Sequence, residues 1–173
     1  MSNLHQAAKA GNMTVVKKLV QRGTPIDSAD DEKWTPLHYA VIGNFSDLVS
    51  FLVISGANVN AKSADGLAPV HCAIKNDNDL ILTKLVEGGA DVNIQDADGL
   101  TPLHYAAYAK SSQCLIFLIE FGAKVNVFSN NHYTPLHIAV ECQNIETIKI
   151  LIDVGASVNA IQDAKRFALS SVF

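Results

Sequence analysis

The chain has 173 residues, of which 49% are hydrophobic and 17% charged, and its formal net charge is −4. A chain of this length and apolar content can bury a sizeable core, which excludes intrinsic disorder. The mild acidity argues against a general nucleic-acid binder, because such a protein needs a basic face to neutralise phosphates.

Composition also sets expectations for the compartment. The three cysteines form no C-x-x-C pair, which argues against a disulfide framework and favours a reducing compartment, the cytoplasm or the nucleus. Residues Met1–His5 lack a basic region followed by an apolar run, so we expect no secretory signal. The apolar run Leu115–Ile119 is too short to cross a bilayer, and no membrane association is expected.

The predicted elements follow a period of 33 residues, and each period opens with the same six-residue pattern. Its copies are Ser2–Ala7, which is the weakest, Thr35–Ala40, Ala68–Ala73, Thr101–Ala106 and Thr134–Ala139. Threonine can cap a helix through its hydroxyl, and proline suits the first helical position because its missing N–H would be unpaired there. The pattern therefore predicts a helix that begins at Pro36 and at each equivalent residue.

A second helix follows within each period. Its apolar residues recur at i, i+1, i+4 and i+5, which is a helical stripe rather than strand alternation; the first set is Val15, Val16, Leu19 and Val20. A glycine then stands where a helix end favours a left-handed residue, as at Gly56. Turn-forming residues follow, such as Asn93–Gly99, and predict the tip of a hairpin.

The period and the T-P-L-H-x-A pattern resemble the ankyrin repeat over nearly the whole chain. The resemblance implies an all-α solenoid of stacked helix–turn–helix units with protruding β-hairpin loops. We expect one domain, 1–173, divided into an N-terminal cap 1–29, units 30–62, 63–95, 96–128 and 129–161, and a partial unit 162–173.

The two ends of the predicted stack differ. The first unit carries Lys9, Lys17, Lys18 and Arg22 and no acid before Asp27, which is typical of a natural cap with a polar outer face. The partial unit ends in an apolar run, 167–173, which is unusual for a cap. Two interpretations stay open: this segment folds onto the fifth unit, or the natural chain continues.

No residue pattern predicts catalysis, a cofactor or a metal site. The histidines at 5, 38, 71, 104 and 137 lie one repeat apart and do not converge; the resemblance implies that they bond backbone and neighbouring loops. His132 takes the usual glycine position of a hairpin tip. Cys72 and Cys114 are expected to be buried small hydrophobes and Cys142 more exposed. Carboxylates such as Asp30 and Asp96 are interpreted as turn formers.

Two rows of residues predict a binding surface. The hairpin row precedes each T-P-L-H pattern, and the helix row ends each first helix. The hairpin row is Trp34, Leu67, Leu100 and Tyr133, and the helix row is Ile42, Lys75, Tyr108 and Glu141. The resemblance implies that both rows face a concave groove that holds a partner protein, with Trp34 and Tyr108 as exposed aromatic anchors. In the alternative interpretation, the hairpin row only packs tip against tip.

Charge is uneven along the chain. Residues 26–100 hold twelve acids against four bases, a local balance of −8. The acids Asp31, Glu32, Asp65 and Asp98 fall on successive hairpins. We therefore hypothesise a partner segment that is basic, with an apolar anchor. A solvated acidic edge that aids solubility is the alternative interpretation.

These patterns together predict a non-catalytic, monomeric protein-interaction module. The alternatives are an ankyrin module of a larger multidomain protein and a stand-alone inhibitor that blocks a partner enzyme. The resemblance also implies one modification: Leu85 followed by Asp91-Val92-Asn93 is similar to the ankyrin sequence that an asparaginyl hydroxylase modifies, with Asn93 as the target.

Overall fold

The computed structural model describes residues 3–109 and 111–159, and this part of the chain contains ten helices and no strand. The helices are α1 (Asn3–Lys9), α2 (Met13–Gln21), α3 (Pro36–Ile42), α4 (Ser46–Ile54), α5 (Pro69–Lys75), α6 (Asp79–Glu87), α7 (Pro102–Ala109), α8 (Ser112–Glu120), α9 (Pro135–Glu141) and α10 (Ile145–Asp153). The predicted partial unit 162–173 lies outside the described residues.

The helices pack as antiparallel pairs that stack side by side. Each odd-numbered helix contacts the even-numbered helix that follows it, and the first helices also contact one another in the order α1, α3, α5, α7, α9. The core runs through this stack, with fully buried leucines in both layers, such as Leu37, Leu103 and Leu85. The predicted all-α solenoid of stacked helix–turn–helix units is confirmed.

A histidine holds the start of each first helix. In the second unit, Nδ1 of His38 accepts the N–H of Thr35 at 3.2 Å, and Nε2 lies 3.0 Å from the carbonyl oxygen of Leu67 in the next hairpin. Because Nδ1 is an acceptor, the ring is neutral and carries its proton on Nε2, which donates to Leu67. His5 and His104 make the equivalent bonds to the hairpin that follows each of them, both at 3.0 Å. The predicted structural role of these histidines is confirmed.

In the third unit, the equivalent histidine makes fewer hydrogen bonds. Ala68 replaces the threonine and has no hydroxyl, so only its N–H is bonded, to Nδ1 of His71 at 3.0 Å. Nε2 of His71 is buried and makes no hydrogen bond of normal geometry. Burial, the largest effect, lowers the pKa of His71 to about 4, although the Asp96 carboxylate and the Leu100 carbonyl favour the protonated ring.

The hairpins contact one another directly. Each is closed by a backbone bond, such as Ser63 N–H to Leu67 C=O at 2.9 Å. Neighbouring hairpins are joined by bonds between equivalent backbone groups, and these bonds are Ala64 N–H to Glu32 C=O (2.9 Å), Ala97 N–H to Asp65 C=O (3.0 Å) and Asn130 N–H to Asp98 C=O (2.9 Å). The loops therefore form a continuous ladder of backbone hydrogen bonds, in which neighbouring hairpin tips contact one another.

Glycine stands at only two of the left-handed hairpin positions. Gly66 and Gly99 have φ values of 75° and 74°, whereas Lys33 and His132 occupy the same position with φ values of 58° and 61°. His132 therefore lies at a glycine position, as the sequence predicts. A Cβ on Gly66 would come within 2.5 Å of the Ala97 backbone nitrogen, so this glycine also permits the close approach of the next hairpin.

We predict that acid destabilises the fold through the buried histidines. Burial lowers the pKa of His38, His71 and His104 below the usual 6.5. Below pH 6.5 the unfolded chain therefore binds more protons than the folded one, and stability is lost progressively toward pH 4. Since one pKa unit is worth about 1.4 kcal/mol, urea unfolding at pH 4.5 should show a loss on the order of 2 kcal/mol relative to pH 7.5.

His71→Gln removes one titrating group and should flatten this dependence. Hydrogen bonds from Tyr39, Trp34 and Glu32 outweigh burial and lower the pKa of Asp30, but that group acts below pH 3.8, outside this range. An unfolding midpoint that is constant from pH 7.5 to 4.5 would contradict the prediction.

Candidate protein-binding groove

A cavity of about 440 Å³ lies between the first helices of the third, fourth and fifth units. Its lining combines apolar, aromatic and charged side chains: Lys75, Asp77, Leu100, His104, Tyr105, Tyr108, Ala109 and Ile138. Three residues that the sequence predicts as binding residues, Lys75, Leu100 and Tyr108, come together here. The cavity is a concave site of mixed character, which can take an apolar side chain beside a charged group.

Tyr105 forms the centre of a fixed cluster on one wall of the cavity. Its Oη donates to Oδ2 of Asp96 at 2.7 Å, and Oδ1 of Asp96 accepts the N–H of Leu100 at 2.9 Å. The Lys75 ammonium lies 5.0 Å from the ring centroid. Burial and the Asp96 carboxylate raise the pKa of Tyr105 well above its usual range, so the phenol remains a donor at any physiological pH.

The same cluster recurs two units earlier. Tyr39 Oη donates to Oδ2 of Asp30 at 2.6 Å, and the Lys9 ammonium lies 5.8 Å from the Tyr39 ring centroid. Burial and Asp30 raise the pKa of Tyr39 to about 12. Sequence reasoning missed both tyrosine clusters. An aspartate nine residues before each tyrosine is the sequence pattern that could have predicted them.

The two predicted rows meet across the groove. In the fifth unit, Tyr133 Oη donates to Oε1 of Glu141 at 2.9 Å, and this bond raises the pKa of Tyr133. In the helix row, Tyr108 is 71% exposed and Ile42 45% exposed. A hairpin-row residue and a helix-row residue of one unit are therefore close enough to be contacted by one ligand.

Trp34 is not the exposed aromatic anchor that the sequence predicts. Its side chain is only partly exposed, because the ring packs edge-on against His38, with centroids 5.1 Å apart, and against Tyr39. Leu67 is likewise partly buried. Of the two aromatic residues singled out by the sequence, Tyr108 is the more accessible, with 71% of its surface exposed.

The predicted acidic residues lie at the hairpins and not in the cavity wall. Asp31, Glu32, Asp65 and Asp98 are all exposed. Three of them, Glu32, Asp65 and Asp98, hold the same position in successive hairpins, and their carbonyl groups are the acceptors of the backbone ladder. The ladder therefore holds the backbone of three acidic residues in one row along the hairpins.

Asn93 links its unit to the next one. Its Nδ2 donates to the Gly122 carbonyl at 3.1 Å, and its Oδ1 accepts the N–H of Lys124 at 2.7 Å. Asn60 and Asn126 make equivalent pairs of bonds, so these contacts do not distinguish Asn93 from the other asparagines. Hydroxylation of Asn93 stays a prediction.

Across 3–109 and 111–159, no group of three His, Cys, Asp or Glu side chains is arranged to hold a metal ion. No helix in these segments has the length and apolar character needed to cross a membrane. The three cysteines are free; Cys72 and Cys114 are buried and Cys142 is partly exposed, as the sequence predicts.

Comparison with known proteins identifies the family. A family profile described as ankyrin repeats (3 copies) matches residues 4–96 and 70–162, which together cover most of the chain. The chain belongs to the ankyrin repeat family. The family inferred from the T-P-L-H pattern is thereby confirmed, and its helical stack is the ankyrin solenoid.

Individual relatives of this ankyrin repeat chain match over short segments. Protein phosphatase 1 regulatory subunit 27 of Homo sapiens is 40% identical over 48 residues, which are 28% of this chain and 31% of that protein. Putative ankyrin repeat protein FPV223 of fowlpox virus is 47% identical over 45 residues, 25% of this chain and 32% of its own. Notch-regulated ankyrin repeat-containing protein A of Danio rerio is 44% identical over 46 residues, 27% and 41% respectively. Each match thus spans less than half of the relative.

We predict that the Tyr105 hydroxyl stabilises the ankyrin stack. Tyr105→Phe removes the bond to Asp96, and a lost hydrogen bond to a charged group costs about 1.5–3 kcal/mol, somewhat less where the pair is partly exposed. Urea unfolding should report a loss of about 1–2 kcal/mol. The matched control is Tyr108→Phe, which removes the same atom from a ring that is 71% exposed and should change stability by less than about 0.5 kcal/mol. Equal effects of the two substitutions would contradict the prediction.

Proposed function

We propose that this ankyrin repeat chain is a non-catalytic protein that binds a partner protein through its concave groove and hairpin tips. The observation that carries the proposal is the 440 Å³ cavity with Leu100, Tyr108 and Ile138 in its lining, in which Tyr108 is 71% exposed. An accessible aromatic ring beside an apolar hollow is typical of the residues that dominate protein–protein interfaces.

The binding mode follows from how firmly the groove is built. Backbone bonds join the hairpins, and His104 fixes the carbonyl of Tyr133 at 3.0 Å. Little of the groove backbone then needs to be ordered when a partner binds, which lowers the entropic cost of association. The function is therefore presentation of a preformed surface.

The proposed partner segment is basic on the side that faces the hairpins and carries an apolar anchor for the cavity. The exposed carboxylates Asp31, Glu32, Asp65 and Asp98 support this charge, since a row of one sign attracts and orients a segment of the opposite sign. The chain is proposed to act in the cytoplasm or the nucleus, and the three free cysteines support a reducing compartment. The chain itself is proposed to be a monomer.

A second candidate function is regulation of a partner enzyme. The human relative that is 40% identical over 48 residues is named as a regulatory subunit of protein phosphatase 1, and this similarity supports a chain that blocks or directs an enzyme. An ankyrin module within a larger protein is also proposed, because the matches span only 31–41% of the relatives. Titrating the chain into phosphatase assays tests the first, and the length of the natural gene product tests the second.

We predict that partner binding depends on Tyr108. Affinity capture with the intact chain should retain a protein that Tyr108→Ala loses, because truncating a central aromatic anchor typically costs 2 kcal/mol or more, about thirtyfold in affinity. Ile54→Ala is the control: Ile54 is 86% exposed, but it ends α4 and is not in the lining of the cavity. Capture that is equal with wild type and Tyr108→Ala would overturn the concave-groove proposal.

The charge of the hairpins should control the rate of association. Replacing Asp31, Glu32 and Asp98 by lysine should slow binding of the captured partner by about tenfold at low salt, with a smaller effect at high salt. The control triple variant replaces Glu87, Glu120 and Asp153, which are exposed at the ends of the second helices, and so makes the same change in net charge. Stopped-flow traces that agree for the two triple variants would exclude steering by the hairpins.

A further inference from the structure

One feature of the concave face recurs in every second unit rather than in every unit: a hydrogen-bonded pair of aspartate and tyrosine. In the second and fourth units, the hairpin aspartate accepts from a tyrosine on the first helix, Asp30 from Tyr39 and Asp96 from Tyr105. The equivalent pairs in the third and fifth units are Ser63 with Cys72 and Ser129 with Ile138. There the serine Oγ accepts the backbone N–H of the hairpin-row residue, at 3.2 and 3.1 Å, as Asp30 and Asp96 also do, but Cys72 and Ile138 carry no hydroxyl to donate.

A lysine from the preceding unit accompanies each tyrosine. Lys9 lies over the Tyr39 ring at 5.8 Å and Lys75 over the Tyr105 ring at 5.0 Å. Lys9 holds the same position in its unit as the members of the helix row, which therefore alternates basic and apolar residues along the groove: Lys9, Ile42, Lys75 and Tyr108. Both lysines are exposed, and contact with a ring face positions an ammonium without neutralising its charge.

We propose that the groove takes an extended partner segment with two carboxylate side chains about six residues apart, one for Lys9 and one for Lys75. An apolar residue midway between them contacts Ile42, and a second apolar residue, about three positions beyond the second acid, enters the cavity beside Tyr108. This inference rests on the proposed binding of a partner in the concave groove, and it adds the pattern of the occupant.

The spacing follows from the stacking of the first helices. The helix α1 packs on α3 and α3 on α5, and packed helices lie about 8–10 Å apart. Lys9 and Lys75 are two such steps apart, which is about 20 Å. An extended chain advances about 3.3 Å per residue, so about six residues separate side chains that reach the two lysines.

The other charges of the groove limit where acids of the partner can lie. Asp77 lines the cavity, and Glu141 lies beyond Tyr108 with its carboxylate bonded to Tyr133. A third acid after Tyr108 is therefore repelled. The carboxylates of the hairpins repel acids from the opposite side, so basic residues of the segment face the hairpins while its acids face Lys9 and Lys75.

The test is selection of binding peptides from a phage-displayed library of random 12-residue sequences against the full chain. We expect enrichment of acid pairs six residues apart with an apolar residue midway. Synthetic copies of the enriched peptides should bind about two- to fivefold more weakly to Lys9→Gln and to Lys75→Gln, the range for losing an exposed ion pair. Lys18→Gln, an exposed site on α2, makes the same change in charge and should not alter binding.

The outcomes separate this inference from the function on which it rests. Enriched peptides without the acid pair, or with binding that Lys9→Gln and Lys75→Gln leave unchanged, overturn the inference; if Tyr108→Ala still weakens their binding, the concave groove remains the binding face. Peptides that bind Tyr108→Ala as well as wild type, or a library that yields no binder, overturn both. Circular dichroism of each variant confirms that the stack is folded.

Discussion

The stack depends on a neutral histidine ring that bonds two units at once. In His38, one ring nitrogen accepts from the backbone that starts a helix, and the other donates to the carbonyl of Leu67 in the following hairpin. A protonated ring could no longer accept a hydrogen bond at Nδ1, so both bonds form only when the ring is neutral. Burial lowers the pKa of His38 and so keeps the ring neutral. The same ring also helps to position the groove, because the carbonyl that accepts its N–H belongs to Leu67, a residue of the hairpin row.

The repeat pattern was enough to predict the fold, because it consists of local signals that agree with one another. Threonine and proline begin a helix, an apolar stripe marks the next, and glycine ends it, so propensity and packing indicate the same unit. Repetition then requires neighbours to stack. The hairpin ladder was harder to predict, since its bonds run between backbone groups of different units, such as Ala97 N–H to Asp65 C=O. Backbone bonds of this kind do not require a particular side chain, so the sequence does not reveal them.

The groove was predictable in position and less so in character. The 33-residue register predicts that Lys75, Leu100 and Tyr108 lie on one face, and in the structure they line one cavity. It could not predict the exposure of Trp34, because burial of that ring depends on its packing against His38 and Tyr39, which is a tertiary contact. The Asp96–Tyr105 pair was missed because a pattern sought at 33 residues does not reveal a period of 66.

The ring of His71 accepts the N–H of Ala68 but donates to no carbonyl of the next hairpin, which leaves one hydrogen bond fewer between the third and fourth units. Between the second and third units, the ladder bond, the asparagine bonds and the histidine bond all hold; between the third and fourth, the ladder bond and the bonds of Asn93 remain, but Nε2 of His71 bonds no carbonyl. Units of a solenoid touch only their neighbours, so a bond missing at one interface is not replaced by contacts from elsewhere in the stack. That interface borders the cavity, because Lys75 and Asp77 on one side and Tyr105 and Tyr108 on the other line it, so a change in packing there would alter the shape of the cavity.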